Sequence, residues 1–108
     1  GDLNVGRNEK RALGEQGSLA LAIYPNPSRG AVNIVFTLDQ PGPVYLILYD
    51  QSGRQSWNLI QGEHYPAGTH RIPWMGEGRD GSVNPGGMYL VLLRSGGEVR
   101  EQKIFLLK

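Results

Sequence analysis

"IYPNPSRGAVNIVF", residues 23–36, sets two apolar runs on either side of a knot of two prolines, an asparagine and a glycine. After the knot, Val32, Ile34, Phe36 and Leu38 alternate with Asn33, Val35 and Thr37; before it, Leu19, Leu21 and Ile23 alternate with Ala20, Ala22 and Tyr24. Period two is the repeat of a strand with one buried face, because successive side chains point to opposite sides of the backbone. Pro25 and Pro27 lack the N–H that a sheet ladder needs, and Pro27 biases Asn26 toward extended geometry, so pairing stops after Tyr24. Asn26 is expected to bond its side chain to backbone two residues on, and Gly30 to take a positive φ. The corner is then expected to carry the chain from one sheet edge to the other.

Outward from this corner the same pattern repeats. Further strands are predicted over Val44–Tyr49, about Gln55–Ile60, Thr69–Trp74, Met88–Arg94 and Val99–Leu107, with Gly, Pro, Asn and Asp clusters between them. Seven short strands in about ninety residues predict an all-β chain folded as an immunoglobulin-like β-sandwich, two sheets sharing one core. Gly1–Gly17 has four glycines, mixed charges and scattered apolar residues. It buries too little to offset the entropy of ordering, so residues 1–17 are expected to be a flexible linker and 18–108 the domain. Five residues, Glu9–Leu13, have helical character but are too few to hold a helix in water unaided. With no initiating methionine and no apolar signal region after Gly1, the chain is expected to be part of a longer precursor.

Composition excludes several function classes. A length of 108 residues suits one domain. Eleven Lys and Arg against ten Asp and Glu leave a net charge of +1 with no basic block, so nothing neutralises a row of phosphates and nucleic acid is not expected as a partner. The longest apolar runs are six residues, far short of the roughly 20 of a transmembrane helix. Absence of cysteine removes disulfides, thiolate metal sites and cysteine nucleophiles together.

Five segments follow one another in order: "YPNP" at 24–27, "VNIVFTL" at 32–38, "VYLILYDQSGR" at 44–54, "AGTHRIPW" at 67–74 and "GGMYLVLL" at 86–93, ahead of "KIFLLK" at 103–108. This series resembles the C-terminal sorting domain of the type IX (Por) secretion system, over about Leu19 to Lys108. The residues that carry the resemblance are Pro25, Asn26, Pro27, Asp50, Gly53, Arg54, Trp74, Gly87, Tyr89, Lys103 and Lys108. It implies a non-catalytic signal at the C-terminal end of a larger secreted protein, recognised by an outer-membrane translocon. It also implies a cell-surface destination in a Gram-negative bacterium, where a sortase-like peptidase removes the domain and attaches the cargo to anionic lipopolysaccharide. Two positions depart from the family pattern: Met75 follows Trp74 where Asp is frequent, and Ser28 follows "PNP" where an aromatic or apolar residue is common. The stretch "WMGEGRDGSVNPGGMY" at 74–89 is also similar to the Ig-like domain of the flagellar hook-cap protein, where a related sandwich has a scaffold role.

Individual residues have plainer roles beside these. Trp74, in register with His70 and Ile72, is expected in the core, and truncating such an aromatic costs about 3 to 5 kcal/mol. Asp50 and Gly53 in "YDQSGR" suit a tight turn, with Arg54 pairing Asp50 at the surface. Glu77 and Asp80 lack the carboxylate spacing of a calcium loop, and neither a metal nor a cofactor is expected. Strands three and six are apolar on both faces. With Val44, Leu46 and Leu48 supplying the core, Tyr45, Ile47 and Tyr49 become a docking face for translocon components, a neighbouring domain of the parent protein or a second copy, unless loops or the linker cover them. An alternative is a carbohydrate-binding or structural accessory module of a secreted hydrolase, with Trp57, Tyr65 and Tyr45 as stacking platforms. Catalysis is not expected, since His64 and His70 stand without a nucleophile-elbow motif.

Overall fold

Alternation of more and less buried side chains runs along every strand but the fourth. The computed structural model describes residues 19–76 and 86–107. The expectations for the linker 1–17, for a helical turn at Glu9–Leu13, for the Glu77 and Asp80 loop and for Lys108 lie outside the described residues. The strands are β1 (Ala20–Tyr24), β2 (Val32–Leu38), β3 (Gly42–Asp50), β4 (Gln55–Tyr65), β5 (Gly68–Trp74), β6 (Gly87–Ser95) and β7 (Glu98–Leu106). They form two antiparallel sheets, ordered β1-β2-β5 and β4-β3-β6-β7. This is the immunoglobulin-like sandwich that the seven period-two runs predict.

The core lies between the sheets. Val32, Ile34 and Phe36 of β2 face Val44, Leu46 and Leu48 of β3, all fully buried. β6 contributes Tyr89, Val91 and Leu93, which leaves Met88, Leu90 and Leu92 half-buried on the outer face. Trp74 is 1% exposed, in edge-on contact with Tyr89 across the sandwich at 5.9 Å between ring centres. Toward the other end Phe36, Tyr65 and His70 form a triangle of rings 5.0 to 5.3 Å apart. Aromatic contacts therefore join the two sheets near both ends, and such pairs add about 0.5–1.5 kcal/mol each beyond their buried area.

Two expectations about the corner are corrected. β1 and β2 pair with each other, Tyr24 opposite Asn33 and Ala20 opposite Thr37, so the chain returns in the same sheet. Gly30 is also not among the glycines with positive φ. Ser28 shapes the turn instead: its hydroxyl donates to the Ala31 carbonyl at 2.8 Å and accepts the Gly30 N–H at 3.1 Å. β4 is longer than predicted, running on to Tyr65 through "QGEHY". That segment has no apolar alternation because β4 is an edge strand, and Gly62 at φ 83° accompanies irregular pairing with β3.

Candidate functional site

Of the residues that carry the resemblance, Pro25, Asn26, Pro27 and Lys103 come together at the last strand. Tyr24-Pro25 and Asn26-Pro27 both have cis peptide bonds. The Asn26 side chain does not bond locally, as the sequence predicts, but reaches β7. Its Nδ2 donates to the Lys103 carbonyl at 2.7 Å, and its Oδ1 accepts the Phe105 N–H at 2.9 Å. A primary amide carries a donor and an acceptor side by side, so it can stand in for a backbone unit at a sheet edge. Ser28 continues the pattern with true backbone bonds. Its N–H donates to the Phe105 carbonyl at 2.9 Å and its carbonyl accepts the Leu107 N–H at 2.7 Å, making a parallel bridge to Leu106. At the opposite end of β7, Glu98 Oε1 accepts the Leu19 N–H at 3.1 Å. The closing strand is thus held at both ends by the opening segment, across nearly the whole described chain.

Free edges of sheets invite pairing with other chains, and covering them is the usual remedy. Here the corner covers the edge of β7 from Lys103 to Leu107. Sequence reasoning assigned Pro25, Asn26 and Pro27 to a turn and missed their partner; it singled out Ser28 only as a departure from the family pattern, and it missed Glu98. The prolines, Asn26 and Gly30 of "PNPSRG" signalled the local turn; nothing in it named β7.

Asp50, Gly53 and Arg54 close the β3–β4 connection. Asp50 Oδ1 accepts from the Ser52 hydroxyl at 2.6 Å, the Ser52 N–H at 3.0 Å and the Arg54 N–H at 3.0 Å, while Oδ2 accepts from Arg54 Nε at 3.3 Å. Gly53, at φ 87°, donates its N–H to the Asp50 carbonyl at 2.9 Å. The Ser52 hydroxyl foremost, then the Arg54 and Ser52 amides, holds the Asp50 carboxyl below its ordinary 3.8 despite some opposing desolvation. Arg54 is exposed and its ion pair with Asp50 contributes little to stability. Asp50 pairs with Tyr89 across the ladder, and burial together with the Asp50 charge pushes the Tyr89 phenol above its ordinary 10.0. Gly87 opens β6 at φ 140°, opposite Leu106, a conformation that favours glycine.

The outer face of the four-stranded sheet carries the remaining sequence-predicted residues. Ile47 and Tyr49 lie half-buried beside Leu92 and Leu90 of β6. Tyr45 is less available. Arg94 lies over its ring, 4.5 Å from the centroid, and its ring and hydroxyl lie where a side chain on Gly62 would be, 3.1–3.3 Å from an added Cβ. A shallow depression of about 410 Å³ is lined by Tyr49, Met88, Leu90, Leu92, Glu101 and Lys103, with the β3–β4 turn at one end.

The aromatics suggested as a sugar platform do not converge. Trp57 and Tyr65 pack against the core from β4, while Tyr45 lies on the opposite face. His70 Nε2–H donates to the Pro66 carbonyl at 2.7 Å, against the rings of Phe36 and Tyr65, and His64 lies exposed on the β4 edge. Among the described residues no group of three His, Asp or Glu side chains could hold a metal ion, and no helix is long and apolar enough to cross a membrane.

With this geometry in view, three solved structures share the fold. PorU from Porphyromonas gingivalis matches with a TM-score of 0.63 at 20% identity over 81% of the chain. PorZ, an essential bacterial surface component of the type IX secretion system of the same organism, matches with 0.56 at 18% identity over 82%. FLGD from P. aeruginosa matches with 0.54 at 18% identity over 80%. The likeness is one of fold. The chain spans 9% of the length of PorU and 11% of PorZ, against 71% of FLGD. No protein-family model matches the sequence, and no curated protein does.

Proposed function

We propose that the chain is a non-catalytic C-terminal sorting module of a larger secreted protein, recognised by the type IX secretion machinery and directed to the outer surface of a Gram-negative cell. The supporting observation is that two segments of the resemblance, the "PNP" corner and the terminal "KIFLL", meet in one set of hydrogen bonds. They do so on a fold shared with a surface component of that secretion system. The corner and β7 present a fixed composite surface: two prolines, the Asn26 amide, and the outward side chains of Lys103, Phe105 and Leu107, with Phe105 and Leu107 47% and 43% exposed. An outer-membrane translocon is the partner for this surface, with a sortase-like peptidase acting on the cargo afterwards and the upstream domains as cargo.

A reporter protein fused ahead of the chain and expressed in a bacterium with a type IX system tests this. The intact fusion is expected in the medium or on the surface, and removal of Lys103–Lys108 is expected to retain it inside. Removal of Lys108 alone spares all of β7 and separates loss of recognition from loss of folding. Export of the Lys103–Lys108 deletion at the intact level would refute the proposal.

A further inference from the structure

The outer face of the four-stranded sheet has a pattern that complements itself. Cross-strand register places its side chains in four rows. Tyr45, Arg94 and Val99 form the first; Ile47, Leu92 and Glu101 the second; Tyr49, Leu90 and Lys103 the third; Met88 and Phe105 the fourth. Along the outward side of β7 the order is therefore apolar, acidic, basic, apolar: Val99, Glu101, Lys103, Phe105. Inverting that order end for end sets apolar against apolar and each charge against its opposite.

We infer that this face is where two copies of the chain associate, sheet against sheet, about a two-fold axis that crosses the strands between the second and third rows. That axis sets Glu101 of each copy over Lys103 of the other, twice, and brings Leu92 over Leu90 and Ile47 over Tyr49. At the ends it brings Val99 over Phe105. Such reciprocity is what an isologous interface requires, since the same patch must fit itself. Face-to-face packing of sheets, about 10 Å apart with strands nearly aligned, accommodates the arrangement.

Two observations favour a second copy in this geometry. Charges within an apolar face oppose most partners, because an unpaired charge would be desolvated, whereas a copy of the same face supplies complements for Glu101 and Lys103; Arg94, the third charge of the face, falls over Met88 of the other copy and keeps its contact with the Tyr45 ring. Edge-to-edge pairing of β7, which the same palindromic order would suit, is blocked by Asn26 and Ser28 over Lys103–Leu107. Three strands by four rows cover roughly 400 Å² per copy from strand spacings, which places the contact in the weak, reversible class. The association uses Lys103 and Phe105, which also belong to the surface proposed for the translocon, but its test needs no secretion machinery.

Sedimentation equilibrium of the whole chain from about 10 μM to about 1 mM tests it. The native sequence is expected to pass from monomer to dimer over this range. Glu101→Lys converts both reciprocal pairs from attractive to repulsive, as does Lys103→Glu, and each is expected to weaken the dimer about tenfold or more. The double exchange E101K/K103E restores the complementary order and is expected to restore the dimer. Both side chains are exposed, so circular dichroism should show the native fold in every variant. A chain that stays monomeric to the highest concentration would overturn the inference. So would a dimer indifferent to the single exchanges, or one that the double exchange fails to recover.

Discussion

Replacing Asn26 by alanine removes two hydrogen bonds to β7 without touching the core. The Asn26 amide donates to the Lys103 carbonyl at 2.7 Å and accepts the Phe105 N–H at 2.9 Å. A hydrogen bond between protein groups is worth about 0.5–1.5 kcal/mol net, and because this site is open to water the freed backbone groups rehydrate. The loss is therefore about 1–3 kcal/mol. For a domain of this size each kcal/mol lowers the melting temperature by about 4–8 °C, so a fall of about 10 °C is expected. Thermal unfolding gives the total, and hydrogen exchange locates it. The Phe105 amide is expected to lose protection about tenfold or more, whereas the Leu107 amide, bonded to the Ser28 carbonyl, changes less. Asn26→Asp sharpens the comparison. It keeps the shape and the acceptor for Phe105 but sets a carboxylate oxygen against the Lys103 carbonyl, so it is expected to destabilise at least as much as alanine. If Asn26→Ala melts within about 2 °C of the native chain and Phe105 exchange is unchanged, the corner does not hold β7.

Other consequences follow from the same contacts. Trp74→Ala opens a cavity beneath Tyr89 between the two sheets and is expected to cost about 3–5 kcal/mol; a urea midpoint implying less than about 1 kcal/mol would contradict its core role. Gly62→Ala forces a side chain into a positive φ and against the Tyr45 ring, so chemical denaturation should show a loss of about 1–3 kcal/mol. Asp50 has a lowered pKa in the folded chain, so its contribution is complete above the ordinary 3.8 and disappears as pH falls through the lower folded value. The stability advantage of the native chain over Asp50→Asn should therefore hold near neutral pH and shrink in acid; a difference that stays constant into strong acid would show that the carboxylate charge is not what closes the turn.

The strands were legible because each has one buried face, and a period of two records that face directly in the order of residues. Trp74 could be assigned to the core of β5 from alternation alone, whereas Val44, Leu46 and Leu48 were set in the core of β3 against a second face, Tyr45, Ile47 and Tyr49, that is also apolar. β6 was readable as a strand, but the side that turned inward was not, since Met88, Leu90 and Leu92 are as apolar as Tyr89, Val91 and Leu93. Which strands pair was also hidden. Nothing in "YPNPSRG" distinguishes a return in the same sheet from a crossing between sheets, because prolines end pairing in either case. The partners of Asn26 lie 77 and 79 residues away, and a side-chain amide has no periodicity to betray a long-range contact. The cover over Tyr45 depends on Gly62 and on Arg94, two residues from strands that sequence order keeps apart. The ordered motif series pointed to the corner and the terminal strand as separate signatures, and their union is a product of the fold.

The proposed routing function makes one demand above all, that the sandwich direct a foreign cargo only where the type IX machinery operates. Surface and medium levels of a reporter fused to the chain should be compared in a host with an intact type IX translocon and in an isogenic host lacking it. Export in the first and retention of intact, folded fusion in the second is the predicted result, whereas equal levels in both hosts, or retention in both, would contradict the account.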